Sequence, residues 1–372
     1  MDERRVGSRG RRPLTRFWSS ALVFWTDRTA WQAWSLCALL LAIMAGQLVM
    51  QYVLNYWNRG FFDALEQRNA AALAHATMMF FVWVGLSTAL AVLSVWTRMG
   101  FQRRWRRFLT RHLIKTWLGR GRYRLLGDLN GSNLPLNPEY RIAEDARVAT
   151  DAPVDLVLAL ISSVLTVVIF SDILARIGGS ISFPVAGITV EIPSYLAVSV
   201  VVYSGLVTGA MLFAGRRFVR VLQDQVQAEA AFRAAANIVR ETGDGLVASA
   251  SDARLRRLLW VGLHDVIEQW RRFCGQHMRV TLVTNTNSLV VPVVGLLLCV
   301  PKFLDGSMSL GEVTQAAAAF TTVQGALNWF VDNFQRMADW RAAATRVATL
   351  LLALDDLRQG GRLGLRHEET VD

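Results

Sequence analysis

Four acidic residues stand where a carboxylate is expensive and therefore informative: Glu144, Asp145, Glu229 and Asp332. Each lies on or beside a long apolar segment. A carboxyl whose pKa is moved towards neutrality by burial, then reset on contact with water, can couple a proton to a conformational change. These four are the candidates for proton coupling or gating. Glu144 and Asp145 are adjacent at the start of an expected helix, where they would equally favour a helix N-terminal turn or pair with Arg141 and Arg147. A second polar set runs through the last apolar stretch, where Gln324, Asn328, Asp332 and Arg336 follow one another at four-residue steps with Asn333 at the border. Polar groups at membrane depth face protein or a wet cavity, because hydrocarbon cannot satisfy them. Gln324, Asn328, Asn333 and Arg336 are therefore candidate cavity-lining residues; an ion pair between Asp332 and Arg336 is the competing reading. Asn285 and Asn287, just ahead of Pro292, would line a cavity or hydrogen-bond between helices. Asp172 reads as a lone acid reaching the outer surface.

Other chemistries find no constellation. His75, His112, His264, His277 and His367 form no Ser–His or metal spacing, and Cys274-x-x-His277 has no second pair of ligands. Cys37, Cys274 and Cys299 are scattered and odd in number, so no disulfide framework is implied. An ATP-binding P-loop needs G-x-x-x-x-G-K-[ST]; the lysines are Lys115 and Lys302, and neither follows a glycine. No nucleotide-binding domain is expected after Leu354. The chain is thus expected to be no enzyme and to hold no metal or cofactor, with any ATPase supplied by a partner subunit. The net charge of +11 and pI near 10.5 would suit nucleic acid. The arginines flank apolar segments instead, where they set orientation and meet anionic lipid, so the expected partner is the bilayer and not nucleic acid.

The elements that must position these residues are membrane helices. Of the 372 residues 53% are hydrophobic and only 19% charged, with a mean hydropathy of +0.30; a soluble domain carries about 25% charged residues. Runs of about 20 apolar residues, the length a bilayer demands, occur near Trp31–Val53, Ala76–Val95, Val154–Leu174, Tyr195–Ala214, Leu282–Val300 and, most polar of all, Val313–Phe334. The connections alternate between arginine-rich (residues 98–124, 216–279) and nearly free of basic residues (55–75, 178–194, 302–312). By the positive-inside rule both termini face the cytoplasm. The expected organisation is a basic cytoplasmic segment (1–30), an all-α six-helix transmembrane domain (31–356) and a loose polar cytoplasmic tail (357–372). Apolar residues at helical spacing within the basic connections predict that the membrane helices extend well into the cytoplasm, turning at Asn133–Pro138 and at Gly243–Gly245. Amphipathic helices lying on the headgroups are the alternative. Ser180–Pro193 reads as a small outward β-hairpin.

Particular segments resemble a known family. Asn137-Pro-Glu-Tyr-Arg-Ile-Ala-Glu144-Asp145 resembles the N-P-D-Q-R-I-x-E-D segment of SbmA/BacA-like transporters and of the related ABC transporters of the peroxisomal fatty-acyl (ABCD) type. Tyr56–Leu65, Ala228–Arg233 and Gly311–Gln315 followed by Phe320 resemble further segments in the same order. The resemblance implies the exporter-type ABC transmembrane fold, with six helices per chain, long cytoplasmic extensions and a homodimer around a central cavity. It implies transport of peptides, peptide-like antibiotics or large hydrophilic solutes such as cobalamin, and importance for Glu144 and Glu229. Two departures stand out: Tyr140 replaces the usual Gln, and Thr242–Ser251 follows the family pattern loosely. The expected drive is the proton gradient, with the chain working alone as in the SbmA-like branch; the alternative is a transmembrane subunit of an ABC transporter whose ATPase docks on the cytoplasmic turns.

Overall fold

The computed structural model describes residues 13–26, 30–124, 137–185, 188–243 and 249–368. We label the helices α1 (Pro13–Thr26), α2 (Ala30–Glu66), α3 (Ala70–Leu118) and α4 (Pro138–Gly178), then α5 (Tyr195–Gly215), α6 (Phe218–Gly243), α7 (Ser249–Leu304), α8 (Leu310–Leu327) and α9 (Trp329–Glu368). Strands β1 (Ser180–Val185) and β2 (Ile188–Pro193) form the expected hairpin between α4 and α5, pairing Ser180 with Pro193 and Val185 with Ile188. Local chemistry starts the helices. Asn69 Oδ1 accepts the Ala72 N–H at 3.1 Å to open α3. At α8 Ser309 and Glu312 exchange hydrogen bonds of 3.1 and 3.2 Å in a capping box.

Among the described residues, five helical stretches are long and apolar enough to cross a membrane: Ala30–Glu66, Ala70–Leu118, Pro138–Gly178, Tyr195–Arg240 and Ala253–Leu304. They contain the first five expected spans. The sixth, Val313–Phe334, is not among them. Its Gln and Asn residues lower its hydropathy, and the helix parts at Asn328, between α8 and α9. The long extensions are plain in α3 and α7, single helices of 49 and 56 residues, where a bare crossing needs about 20. The turn expected at Asn133–Pro138 falls largely, and that at Gly243–Gly245 mostly, outside the described residues. Beyond Leu357, where the sequence suggests a loose tail, the backbone remains helical to Glu368.

The chain divides into two compact units, residues 1–169 with 332–372, and residues 170–331. The first is organised by α1, an element that charge-based reading of the N-terminus passes over. Phe17, Ala21 and Phe24, at helical spacing, are buried. Phe17 joins a core of Leu109 and Leu113 from α3, Ile142 and Ala146 from α4, and Val347 and Leu351 from α9. Phe24 stacks on Trp105, with ring centroids 6.2 Å apart, and Arg16 Nε donates to Asp355 Oδ2 at 2.8 Å. In the second unit small residues let helices touch: a Cβ added at Gly295 of α7 would stand 3.0 Å from Ala317 Cα of α8. Tyr195 OH of α5 donates to the Leu298 carbonyl at 2.9 Å, and Lys302 Nζ donates to the Gly178 carbonyl at the foot of the hairpin.

Candidate functional site

Asn137, at φ 57° and ψ 65°, opens α4 in the left-handed region that asparagine tolerates, directly before Pro138. After one helical turn the backbone widens into a π turn over Arg141–Asp145. Such turns are rare and concentrate at functional sites; this one coincides with the acidic end of the family-like segment. Glu144 and Asp145, about 100° apart around the axis, meet different surroundings. Asp145 is 2% exposed and receives a fork from α9: Arg346 Nε donates to Oδ2 at 2.8 Å and Nη2 to Oδ1 at 2.7 Å. Those charge-assisted bonds raise the Arg346 pKa further. Arg141 closes the arrangement by donating to the Arg346 carbonyl at 3.1 Å. Glu144 instead pairs with Arg147 on its own helix, at 3.3 Å from Nε. That hydrogen bond, then the arginine's charge, hold the Glu144 carboxyl below the usual glutamate range. Of the pairings expected with Arg141 and Arg147, the Glu144–Arg147 pair forms, and Asp145 takes Arg346.

The lattice continues along α4. Arg106 of α3 reaches the Ala143 carbonyl at 3.4 Å. Gln102 donates to the Asp151 carbonyl at 2.9 Å and to Asp155 Oδ1 at 2.8 Å. Arg98 approaches Asp155 at 3.5 Å, and Arg336 Nη2 of α9 donates to Asp155 Oδ2 at 2.7 Å. Asp155 is therefore where α3, α4 and α9 converge, and sequence reasoning missed it. The signal available was the pair Asp151 and Asp155, one helical turn apart at the mouth of the third apolar run. Arg336, expected to line a cavity or to pair with Asp332, is committed to Asp155.

The other candidates separate. The helix breaks at Asn328 (φ −76°, ψ −6°), so Gln324, Asn328, Asp332 and Arg336 do not run along one uninterrupted helix. Gln324 and Asn328 belong to the second unit, Asp332, Asn333 and Arg336 to the first. Gln324, 4% exposed, donates to Asn287 Oδ1 at 3.4 Å, and the same oxygen accepts Tyr203 OH at 3.1 Å. This clasp joins α5, α7 and α8 and leaves Asn287 and Gln324 as structural groups. Asn285, about 200° round the helix from Asn287, is exposed, as are Thr281 and Ser288 on its side. Asp332 is exposed and Asn333 half-buried. Glu229 of α6 is half-buried and makes no ion pair among the described residues. Asp172 is not alone: Arg176 donates to it at 2.7 Å.

Comparison with known proteins gives this arrangement a context. The chain is 27% identical over 332 residues to the inner membrane ABC transporter ATP-binding protein YddA of Escherichia coli (strain K12), covering 87% of this chain and 58% of that protein. It is 22% identical over 325 residues to an uncharacterized ABC transporter ATP-binding protein of Haemophilus influenzae, covering 87% and 54%. It is 18% identical over 341 residues to ABC transporter D family member 2, chloroplastic, of Arabidopsis thaliana, covering 92% and 46%. The chain thus spans about half the length of these curated relatives. Residues 22–304, holding the α3–α4 lattice and the α7 polar face, match the ABC transporter transmembrane region 2 family. With the match covering most of the chain and its long apolar helices able to cross a bilayer several times, this multi-pass membrane protein belongs to that family of transporter transmembrane regions.

Proposed function

We propose that this chain forms the translocating part of a homodimeric transporter that carries peptides, antimicrobial or antibiotic-like, or similarly large hydrophilic solutes such as cobalamin, across the inner membrane. The observation that carries the reading is the face of α7 on which Thr281, Asn285 and Ser288 stand exposed within or beside an apolar span. Lipid cannot satisfy these groups, whereas a wide hydrated cavity between two copies would. In this reading α8 and the start of α9 complete a sixth crossing, both termini face the cytoplasm, and the exporter-type fold is completed by the second copy.

The drive we favour is an ATPase module acting on the basic ends of the helices, where the Asp145–Arg346 fork and the Asp155 node tie α3, α4 and α9 to one another. The relatives in Escherichia coli and Haemophilus influenzae support it, since both are described as ABC transporter ATP-binding proteins. Glu144 also weighs against proton coupling at that position: held below its usual range by Arg147, it stays ionised near neutral pH. One observation favours the proton gradient: Glu229 is half-buried on α6 and has no ion-pair partner among the described residues. Uptake of a labelled antimicrobial peptide by cells expressing this chain alone, with and without an uncoupler, separates the two. Uncoupler-sensitive uptake without any ATPase supports the proton-driven reading; uptake only after an ATPase module is supplied supports the favoured one. No uptake in either case refutes the peptide cargo.

A further inference from the structure

One face of α3 changes character along its length. At 100° per residue, Val92, Trp96 and Met99 share an arc with Arg103 and Arg107, and Arg104 stands about 60° further round, within reach of a long side chain. All six are exposed, Trp96 by 69%. Phe101 and Trp105 lie on the opposite side and are buried, as is Leu109 next to them. The neighbouring arginines turn inward, Arg98 to Asp155 and Arg106 to the Ala143 carbonyl. Arg103, Arg104 and Arg107 stay outward, and among the described residues none lies within ion-pair distance of a carboxylate. An aromatic marker fixes their depth. Trp25 contacts Phe101 at 5.7 Å and Trp34 at 5.0 Å, which holds the exposed Trp34 near the level where the arc passes from Met99 to Arg103. Exposed tryptophans prefer the headgroup level. From Arg103 to Arg107 the axis rises about 6 Å, close to the thickness of one headgroup layer, about 5–7 Å.

We propose that this face is a binding site for an anionic phospholipid, its tail against Val92, Trp96 and Met99 and its phosphate between Arg103, Arg104 and Arg107. The order apolar, aromatic, cationic along one arc is the order of tail, interface and headgroup, which is why a lipid fits and a uniformly polar partner does not. The site needs the membrane crossing of α3 and nothing about cargo or drive.

Native mass spectrometry of the detergent-solubilised chain with equimolar phosphatidylglycerol and phosphatidylcholine tests it. The expected result is preferential retention of phosphatidylglycerol, reduced at least about fivefold in the variant Arg103→Gln/Arg104→Gln/Arg107→Gln, the effect of losing even one basic residue at a membrane surface. The all-lysine triple variant keeps the charge and should retain the preference, which separates binding from folding. Equal retention of both lipids by the unmodified chain, or undiminished preference in the glutamine variant, overturns the proposal. So does loss of dimer with lipid preference intact, which would assign the face to a second copy.

Discussion

Replacing Arg346 by methionine should destabilise the first unit more than replacing Asp145 by asparagine, although both changes remove the same ion pair. The asymmetry follows from burial: Asp145 is 2% exposed, whereas the Arg346 side chain is 47% exposed. In Arg346→Met the carboxylate stays inside without its fork. Removing one partner of a buried pair typically destabilises by about 3–5 kcal/mol. Arg141 remains near enough to lend Asp145 its charge, and its bond to the backbone of residue 346 survives, so the lower end, about 3 kcal/mol, is expected. In Asp145→Asn the arginine turns to water and the loss is that of two charge-assisted bonds partly replaced by solvent, about 1–2 kcal/mol. The double variant Asp145→Asn/Arg346→Met should therefore be more stable than Arg346→Met alone, since it buries no orphan charge. Reversible unfolding of the purified protein in mixed micelles, followed by circular dichroism, measures all three. Equal losses in the two single variants, or strict additivity in the double, would refute the claim that the buried carboxylate dominates this pair.

Asn287 and Asn285 should behave oppositely. Asn287→Ala should lower stability by about 1–2 kcal/mol by orphaning Tyr203 and Gln324. Asn285→Ala should leave stability unchanged and reduce uptake, as melting and transport assays would show. Gly295→Leu should lower stability by about 1–3 kcal/mol, because even a Cβ there meets the Ala317 backbone at 3.0 Å. Glu144→Gln should not alter the melting temperature's dependence on pH between neutrality and the ordinary glutamate pKa of 4.5. The folded-state pKa lies lower, so the pair's contribution is fully present above that value and is lost only as pH falls through the depressed pKa. Cysteines placed at Arg104 and at Arg217 should both react with impermeant thiol reagent only from the cytoplasmic side; labelling of either from outside contradicts the expected orientation.

Much of the candidate site was legible as residue type and little of it as partnership. The segment Asn137–Asp145 stands out in the sequence, yet that Glu144 faces its own Arg147 while Asp145 reaches Arg346, 201 positions away, depends on how α4 and α9 are rotated. The four-residue steps of Gln324, Asn328, Asp332 and Arg336 suggested one polar stripe; the break at Asn328 and the separate engagement of Gln324 and Arg336 came from packing. Asp155, one turn after Asp151 at the mouth of an apolar run, carried too weak a local signal to single it out; its weight comes from Arg98, Gln102 and Arg336 meeting on it. The role of α1 was hidden because Arg16 and the arginines ahead of the helix in the sequence outweighed Phe17, Ala21 and Phe24.

By itself the sequence determined that long apolar helices cross a bilayer several times and that basic connections alternate with non-basic ones. It did so because hydropathy and charge are sums over neighbouring residues, read against a solvent layer of fixed thickness. Only the tertiary structure decided which of many arginines meets which acid, and which of two asparagines, two positions apart, holds helices together while the other is left open. Those choices depend on helix rotation to within a fraction of a turn, set in the first unit by the packing of Phe17, Leu113, Leu351 and their neighbours and in the second by contacts such as Gly295 on Ala317, and no local pattern encodes it.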